Sequence, residues 1–304
     1  MALQKLTSTD AFVIVDLPDA PASGVVRRAR KILQSSAADL ARSATYTFGA
    51  FGIQRSGASA GINAEDDAAD GAVAAFVEEL TPAVADGRLH LDAGKGVGPD
   101  QLAALTAASP VAPADPAEHL LATGILAAIE WALGGDLGGR TVAIEGHDQA
   151  PDNLRRALTD AGMTVVDVWG VSEKPWLVWG AEVDVILAGS RPGTLSHQGT
   201  DFITAKAVVP WGPIPVSTKA LARIKRAGTV TVVPDFVSIA GPLVGGLFEA
   251  GPAAAGSTLR TRIHEILDEA GSDPDGVLLG ACYRAEAFIE TWQDRKPFGR
   301  PLAA

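Results

Sequence analysis

Cysteine is almost absent: the 304-residue chain holds one, Cys282. A single thiol excludes an internal disulfide framework and a cysteine-based zinc site, and it fits a reducing, cytoplasmic compartment. Because it lies in the apolar run Val277–Ala285, this cysteine reads as core rather than as a nucleophile. Basic residues are in deficit, with 25 Lys and Arg against 36 Asp and Glu and a formal net charge of -11. Nucleic acid is therefore not an expected partner, since phosphate binding needs clustered cations. The two most basic patches, Arg27–Lys31 and Arg223–Arg226, lie in amphipathic helical contexts and read as solvated faces. No apolar run is long enough to cross a bilayer, and the polar stretch Met1–Asp10 before the short Ala11–Val15 lacks the shape of a secretory signal, so no membrane partner is expected. His90, His119, His147, His197 and His264 show no ligand spacing, so no metal site is expected either.

Apolar residues, by contrast, are plentiful. They make up 47% of the chain, enough for two domains with separate cores. Ala11–Asp16 and Val25–Lys31 read as strands, and Ser36–Phe51 as a helix with Ser35 or Ser36 as its N-cap. The small residues Gly52–Gly61 read as a loop, and a long amphipathic helix is expected around Asp66–Leu80. Arg88–Asp92 reads as a short strand running into the loop Ala93–Gly98, and Asp100–Ala108 as helical. The Pro/Ala-rich Ser109–Pro116 reads as a linker and Glu118–Leu133 as a helix. Further strands are expected at Val183–Leu187, Ala205–Val209 and Thr229–Pro234, with a helix at Leu221–Ala227 and closing helices at Thr258–Ala270 and Val277–Asp294. Strands alternating with helices predict a parallel sheet covered on both faces.

The stretch Arg140–Gly170 organises this second half. It reads as a strand over Arg140–Glu145, a turn over Gly146–Pro151, a helix over Asn153–Ala161 and a second strand over Thr164–Val168. Such a βαβ unit carries the dinucleotide fingerprint G-x-G-x-x-G at its first turn. Here the six residues are Gly146, His147, Asp148, Gln149, Ala150 and Pro151, and only the first glycine is kept.

Several segments, taken in order, resemble the Glu/Leu/Phe/Val (amino-acid) dehydrogenase family, most of all its leucine dehydrogenases. Asp16–Arg27 is similar to D-T-T-L-G-P-A-L-G-G-T-R, sharing Asp16, Pro21, Ala22, Gly24 and Arg27. Thr45–Ile62 resembles T-W-K-N-A-x-A-G-L-P-x-G-G-x-K-G-G-I, Thr123-Gly124 resembles T-G-x-G-V, and Val233–Gly241 resembles x-P-D-x-x-x-N-A-G. The resemblance implies an α/β chain of two domains: an N-terminal α/β domain and a Rossmann-like parallel-sheet domain with an interdomain cleft. The boundaries expected are 1–116 for a substrate and oligomerisation domain, 117–282 for the Rossmann-like domain, and 283–304 for a C-terminal helix returning to the first domain.

The same resemblance implies NAD(P) as cofactor and two lysines and an aspartate as catalytic groups. Carried across, the lysine positions hold Thr47 and Ser59, and the aspartate position falls near Gly94, with Asp92 and Lys95 close by. The acid expected after the second strand is replaced by Gly170, and family asparagines fall on Pro213 and Ile239. Asp148 puts an anion where a pyrophosphate would approach a helix N-terminus, and its carboxylate is expected to cap that helix instead. The residues left as cleft candidates are Lys95, Asp92, Arg55, Ser59, Thr47 and Arg27, beside the degenerate turn of Gly146, His147, Asp148, Gln149 and Pro151 with Gly170. Trp176, Trp179 and Trp211 are further candidates to line the cleft. The reading is a divergent relative that has lost oxidative deamination and binds a small molecule in the cleft, or has been redirected to another reaction. The alternatives are an active NAD(P)-dependent oxidoreductase on an amino or keto acid, and a non-catalytic subunit of a hetero-oligomer. A homo-oligomer is also expected, with first-domain strands free to pair edge to edge.

Overall fold

The structure, a computed structural model, describes residues 1–111, 117–168, 170, 174–248 and 251–303. The chain divides into two compact units, Met1–Pro113 with Ala285–Pro301, and Ala114–Arg284 with Leu302–Ala304.

The first unit is built on a five-stranded sheet in the order β1-β2-β4-β3-β5. Its strands are β1 (Ala2–Lys5), β2 (Ala11–Val15), β3 (Ala22–Ala29), β4 (Ser56–Asn63) and β5 (Leu89–Ala93). β1 was not anticipated: all four of its residues are exposed, and it pairs antiparallel with β2 at the sheet edge. β3 runs parallel to both β4 and β5. Alternation along the strands separates two faces. Val13, Ala22, Val26, Ala58, Ala60, Ile62, Leu89 and Leu91 pack against α2 (Ala69–Ala85) and α3 (Ala103–Ala108) through Phe76, Leu80 and Leu105. On the opposite face Phe12 and Ile14 meet Ala37 and Ala41 of α1 (Gln34–Ala50).

Two sequence readings are corrected here. Gly52–Gly61 is not a loop throughout, because Ser56 onward is β4 in the middle of the sheet. Its small residues are there for packing: a Cβ at Gly57 would lie 1.9 Å from the Ala41 carbonyl oxygen, so α1 rests on the bare strand. The Gly57 amide also donates to Thr45 Oγ1 of α1 at 2.9 Å. The second correction concerns the start of α1. It begins at Gln34 after an extended Leu33, with no side-chain cap, so neither Ser35 nor Ser36 caps it. From α1, Arg42 grips the buried Asp16 with its Nε and Nη2 edge at 2.7–2.9 Å. The basic run expected as a solvated helix face is corrected too: it begins on the strand β3, where Arg27 and Arg28 are half-buried.

The second unit carries a five-stranded, fully parallel sheet in the order β10-β9-β8-β6-β7. The strands are β6 (Thr141–Ile144), β7 (Thr164–Val165), β8 (Val185–Ala188), β9 (Ala207–Pro210) and β10 (Thr231–Val232). Its helices are α4 (Ala117–Leu133), α5 (Asp152–Asp160), α6 (Thr218–Ala227), the short α7 (Asp235–Ser238) and α8 (Gly241–Val244), α9 (Ala255–Gly271) and the start of α10 (Val277–Ile289), whose residues from Ala285 belong to the first unit. Gly124 lets α4 approach α7, since a Cβ there would stand 2.5 Å from the Ser238 carbonyl. Cys282 is buried in α10. Of the expected linker, 112–116 lies outside the described residues. Among the described residues no helix is long and apolar enough to cross a membrane.

The contact of α1 with β4 is testable. Gly57→Ala should lower the unfolding free energy by about 3 kcal/mol through overpacking, read by urea denaturation. A loss below ~0.5 kcal/mol would contradict the close approach.

Candidate functional site

The turn after β6 stands where the strand order reverses between β6 and β8, which is where open parallel sheets bind ligands. Gly146 takes a left-handed φ of 66°, and a Cβ there would lie 2.4 Å from Ser190 Cβ. The one kept glycine is thus accounted for by the loop after β8. The amides of Gln149 and Ala150 both donate to the Gly146 carbonyl, at 2.8 and 3.1 Å. His147, Asp148 and Gln149 are exposed, and their side chains make no hydrogen bond or ion pair among the described residues. The expectation that Asp148 caps the helix is corrected: α5 starts after Pro151, which is its N-cap residue, and no side chain caps it. The first turn already carries the acidic Asp152, which complements the positive end of the helix. Gly170 has φ 75° and Asp167 is exposed, with its carboxylate 2.6 Å from Arg155.

Behind the turn lies a residue that sequence reasoning passed over. Glu145 follows β6 and is buried, and its carboxylate accepts from the amides of Gly189 and Ser190 at 3.0 Å each. It also accepts from Ser190 Oγ and, at 2.8 Å, from Thr194 Oγ1. Its backbone carbonyl takes the indole N–H of the buried Trp211 at 2.9 Å. One acid therefore clasps the loops leaving β6 and β8 together. The next loop closes on them: a Cβ on Gly189 would lie 2.2 Å from the Gly212 amide nitrogen. Two residues on, Ile214 holds φ 52°, an outlier for a β-branched residue. That strain is fixed by a 2.8 Å bond from the Ile214 amide to Asp235 and another from Gly193 to its carbonyl. Trp179 is buried as well, whereas Trp176 is exposed. The only signal in the sequence was an acid ending an apolar strand.

In the first unit, alternation places Ser23, Val25 and Arg27 of β3 on one face with Gly57 and Ser59 of β4 and His90 and Asp92 of β5. Arg55 reaches onto this face and donates to the buried Ser23 hydroxyl at 2.8 Å. Ser59 is fully buried, and among the described residues neither its hydroxyl nor the buried Nε and Nη2 atoms of Arg27 have a hydrogen-bond partner. Burial draws the pKa of both Arg27 and Arg55 below the usual guanidinium value. At Gly94, the aspartate position of the resemblance, a Cβ would lie 2.9 Å from the Val26 carbonyl oxygen and 3.1 Å from Arg27 Cγ. Asp92 is occupied by His90, whose Nε2 stands 3.4 Å away, while His90 Nδ1 is 2.8 Å from Ser109 Oγ.

Two other candidates lie elsewhere in the first unit. Thr47 is buried in α1 with its hydroxyl bonded to the Ser43 carbonyl. Lys95 is exposed, and its flanking glycines bring the loop backbone against β3, where Arg28 N donates to Lys95 O at 3.0 Å. Among the described residues no group of three or more His, Cys, Asp or Glu could hold a metal ion.

Ser59 and Glu145 give opposite predictions. Ser59→Ala should raise stability by about 1 kcal/mol by removing a buried, unpaired hydroxyl, whereas a loss would show the hydroxyl to be partnered. Glu145→Ala should cost about 3 kcal/mol because it strands a set of buried donors. Chemical denaturation of the two variants reads both signs.

The sequence matches no family model and no curated protein. Solved structures do resemble it. A hetero-hexameric glutamate dehydrogenase from Thermus thermophilus, in a Leu-bound form, has a TM-score of 0.77 at 21% identity, covering 95% of this chain and 86% of that one. L-tryptophan dehydrogenase from Nostoc punctiforme has a TM-score of 0.70 at 20% identity, covering 96% of each chain. A further glutamate dehydrogenase has a TM-score of 0.75 at 16% identity, covering 92% of this chain and 80% of that one. Identities this low carry the fold and nothing beyond it. This chain therefore has the two-domain α/β fold of the amino-acid dehydrogenases.

Proposed function

We propose that the chain is a divergent amino-acid-dehydrogenase-like protein that has lost NAD(P)-dependent oxidative deamination and serves as a small-molecule-binding protein. The observation that carries this reading is the Glu145 clasp. At the switch point of the parallel sheet, amides of the loop after β8 are spent on the protein's own carboxylate. The turn amides of Gln149 and Ala150 are spent on Gly146. A pyrophosphate needs such donors and a positive helix end, and here it would meet Asp148 and Asp152. The chemistry on the other unit supports the same reading. A hydroxyl stands at each position where the resemblance expects a lysine, and neither Thr47 nor Ser59 can act as a base or a cation near neutral pH.

A second reading, a non-catalytic subunit assembled with an intact paralogue, is favoured by one finding: a similar structure is that of a hetero-hexameric glutamate dehydrogenase.

Turnover tests the proposal. Purified protein given NAD or NADP with each of the common amino acids should form no reduced nicotinamide above the protein-free rate. Sustained reduction with any one of them, abolished by Arg55→Ala, would overturn it in favour of an active oxidoreductase.

A further inference from the structure

The second unit holds a cavity of about 250 Å³ that lies apart from the Glu145 clasp. Its apolar walls are Trp131 in the last turn of α4, Ile224 of α6, Val232 of β10 and Leu278 of α10. β10 is the edge strand of the parallel sheet, and the cavity lies beside it. Because α4 and α6 each run into the strand that follows, their C-terminal turns mark the amino end of that sheet. The cavity is therefore at the end away from Glu145, which follows the carboxyl end of β6.

The polar groups around it are fixed by bonds. Asp275 and Lys225 pair with each other in the lining, and both side chains are half-exposed. Tyr283 donates its hydroxyl to the second Asp275 oxygen at 2.7 Å, and the Asp275 amide donates to Asp273 Oδ1 at 2.7 Å. Trp131 is held by its indole N–H, which donates to Asp268 at 2.8 Å. A Cβ at Gly271 would stand 2.8 Å from Trp131 Cζ2, so the bare end of α9 lies against the ring. Three carboxylates, Asp268, Asp273 and Asp275, are thus tied to the lining. Among the described residues the lining holds one cation, Lys225.

We propose that this cavity binds a primary ammonium ion carrying a short apolar body, an arylalkyl or branched alkyl amine, with Asp275 as its counter-ion. Lys225 shows the recognition within the molecule: an ammonium already sits on one Asp275 oxygen while Tyr283 holds the other. An ion pair half-exposed to water contributes little to stability, so an incoming ammonium displaces Lys225 at small cost. Burial of the ligand's hydrocarbon against Trp131, Ile224, Val232 and Leu278 supplies the gain, and an indole ring attracts an ammonium as well. An anionic ligand would instead meet the three carboxylates, and the net charge of -11 favours a cation on approach. The site is separate from the switch-point crevice and does not rest on the function proposed above.

Calorimetric titration of the full chain with phenethylamine and with isopentylamine, in a low-salt buffer free of amines, tests the assignment. At least one of them should bind saturably. Phenylpropionate, which has the body but the wrong charge, and methylamine, which has the charge but no body, should bind far more weakly. Asp275→Asn should weaken amine binding about tenfold through loss of one charge-assisted contact. Lys225→Met should leave it as tight or tighter, because the competing ammonium is gone. Circular dichroism shows whether each variant is folded, and Lys225→Met carries the test if Asp275→Asn is not. No saturable binding of either amine, unchanged binding by folded Asp275→Asn, weaker binding by folded Lys225→Met, or a preference for phenylpropionate or methylamine would each overturn the proposal.

Discussion

The second unit depends on one buried carboxylate. Glu145 sits at the carboxyl end of β6 and satisfies donors from the loop that follows β8. A carboxylate with several hydrogen bonds can be buried at modest cost, whereas its donors left alone could not. The neighbouring features follow from that bond. Gly146 must be a glycine because Ser190 has been drawn against it, Trp211 closes over the Glu145 carbonyl, and Gly189 and Gly212 pack backbone to backbone. The strained Ile214 sits in the same closed cluster of loops. In an open parallel sheet this edge is the natural ligand crevice, and here the protein's own groups occupy its donors.

This changes how a damaged fingerprint should be read. By sequence, Gly146 is the one kept glycine of the dinucleotide fingerprint. In the structure it serves loop packing, so keeping it says nothing about a nucleotide. Asp148 and His147 are solvent-exposed, and their side chains are unpaired among the described residues. The decisive residue was the one just before the motif.

Much of the fold was legible because hydrophobic period reports burial directly. The βαβ unit, the parallel strands of the second sheet and the helices α4 and α9 all carry strong patterns. β4 was misread because its residues are small, and smallness in a strand reflects what packs on it rather than what the chain does locally. β1 escaped for the opposite reason: with every residue exposed it has no apolar alternation to read. At the site, residue types were legible but partnerships were not. Nothing in the order of residues reveals that Arg42 finds Asp16 while Arg27 finds no acid among the described residues, because both depend on contacts between elements distant in sequence.

The central claim is that the crevice at the switch point no longer accepts a dinucleotide. Calorimetric titration of the purified chain with NADH and with NADPH tests it most directly. The account predicts no saturable heat for either nucleotide up to about millimolar concentration, well above the affinity of a working cofactor site. Saturable one-to-one binding at micromolar concentration, weakened by a bulky substitution at Gly146, would contradict it.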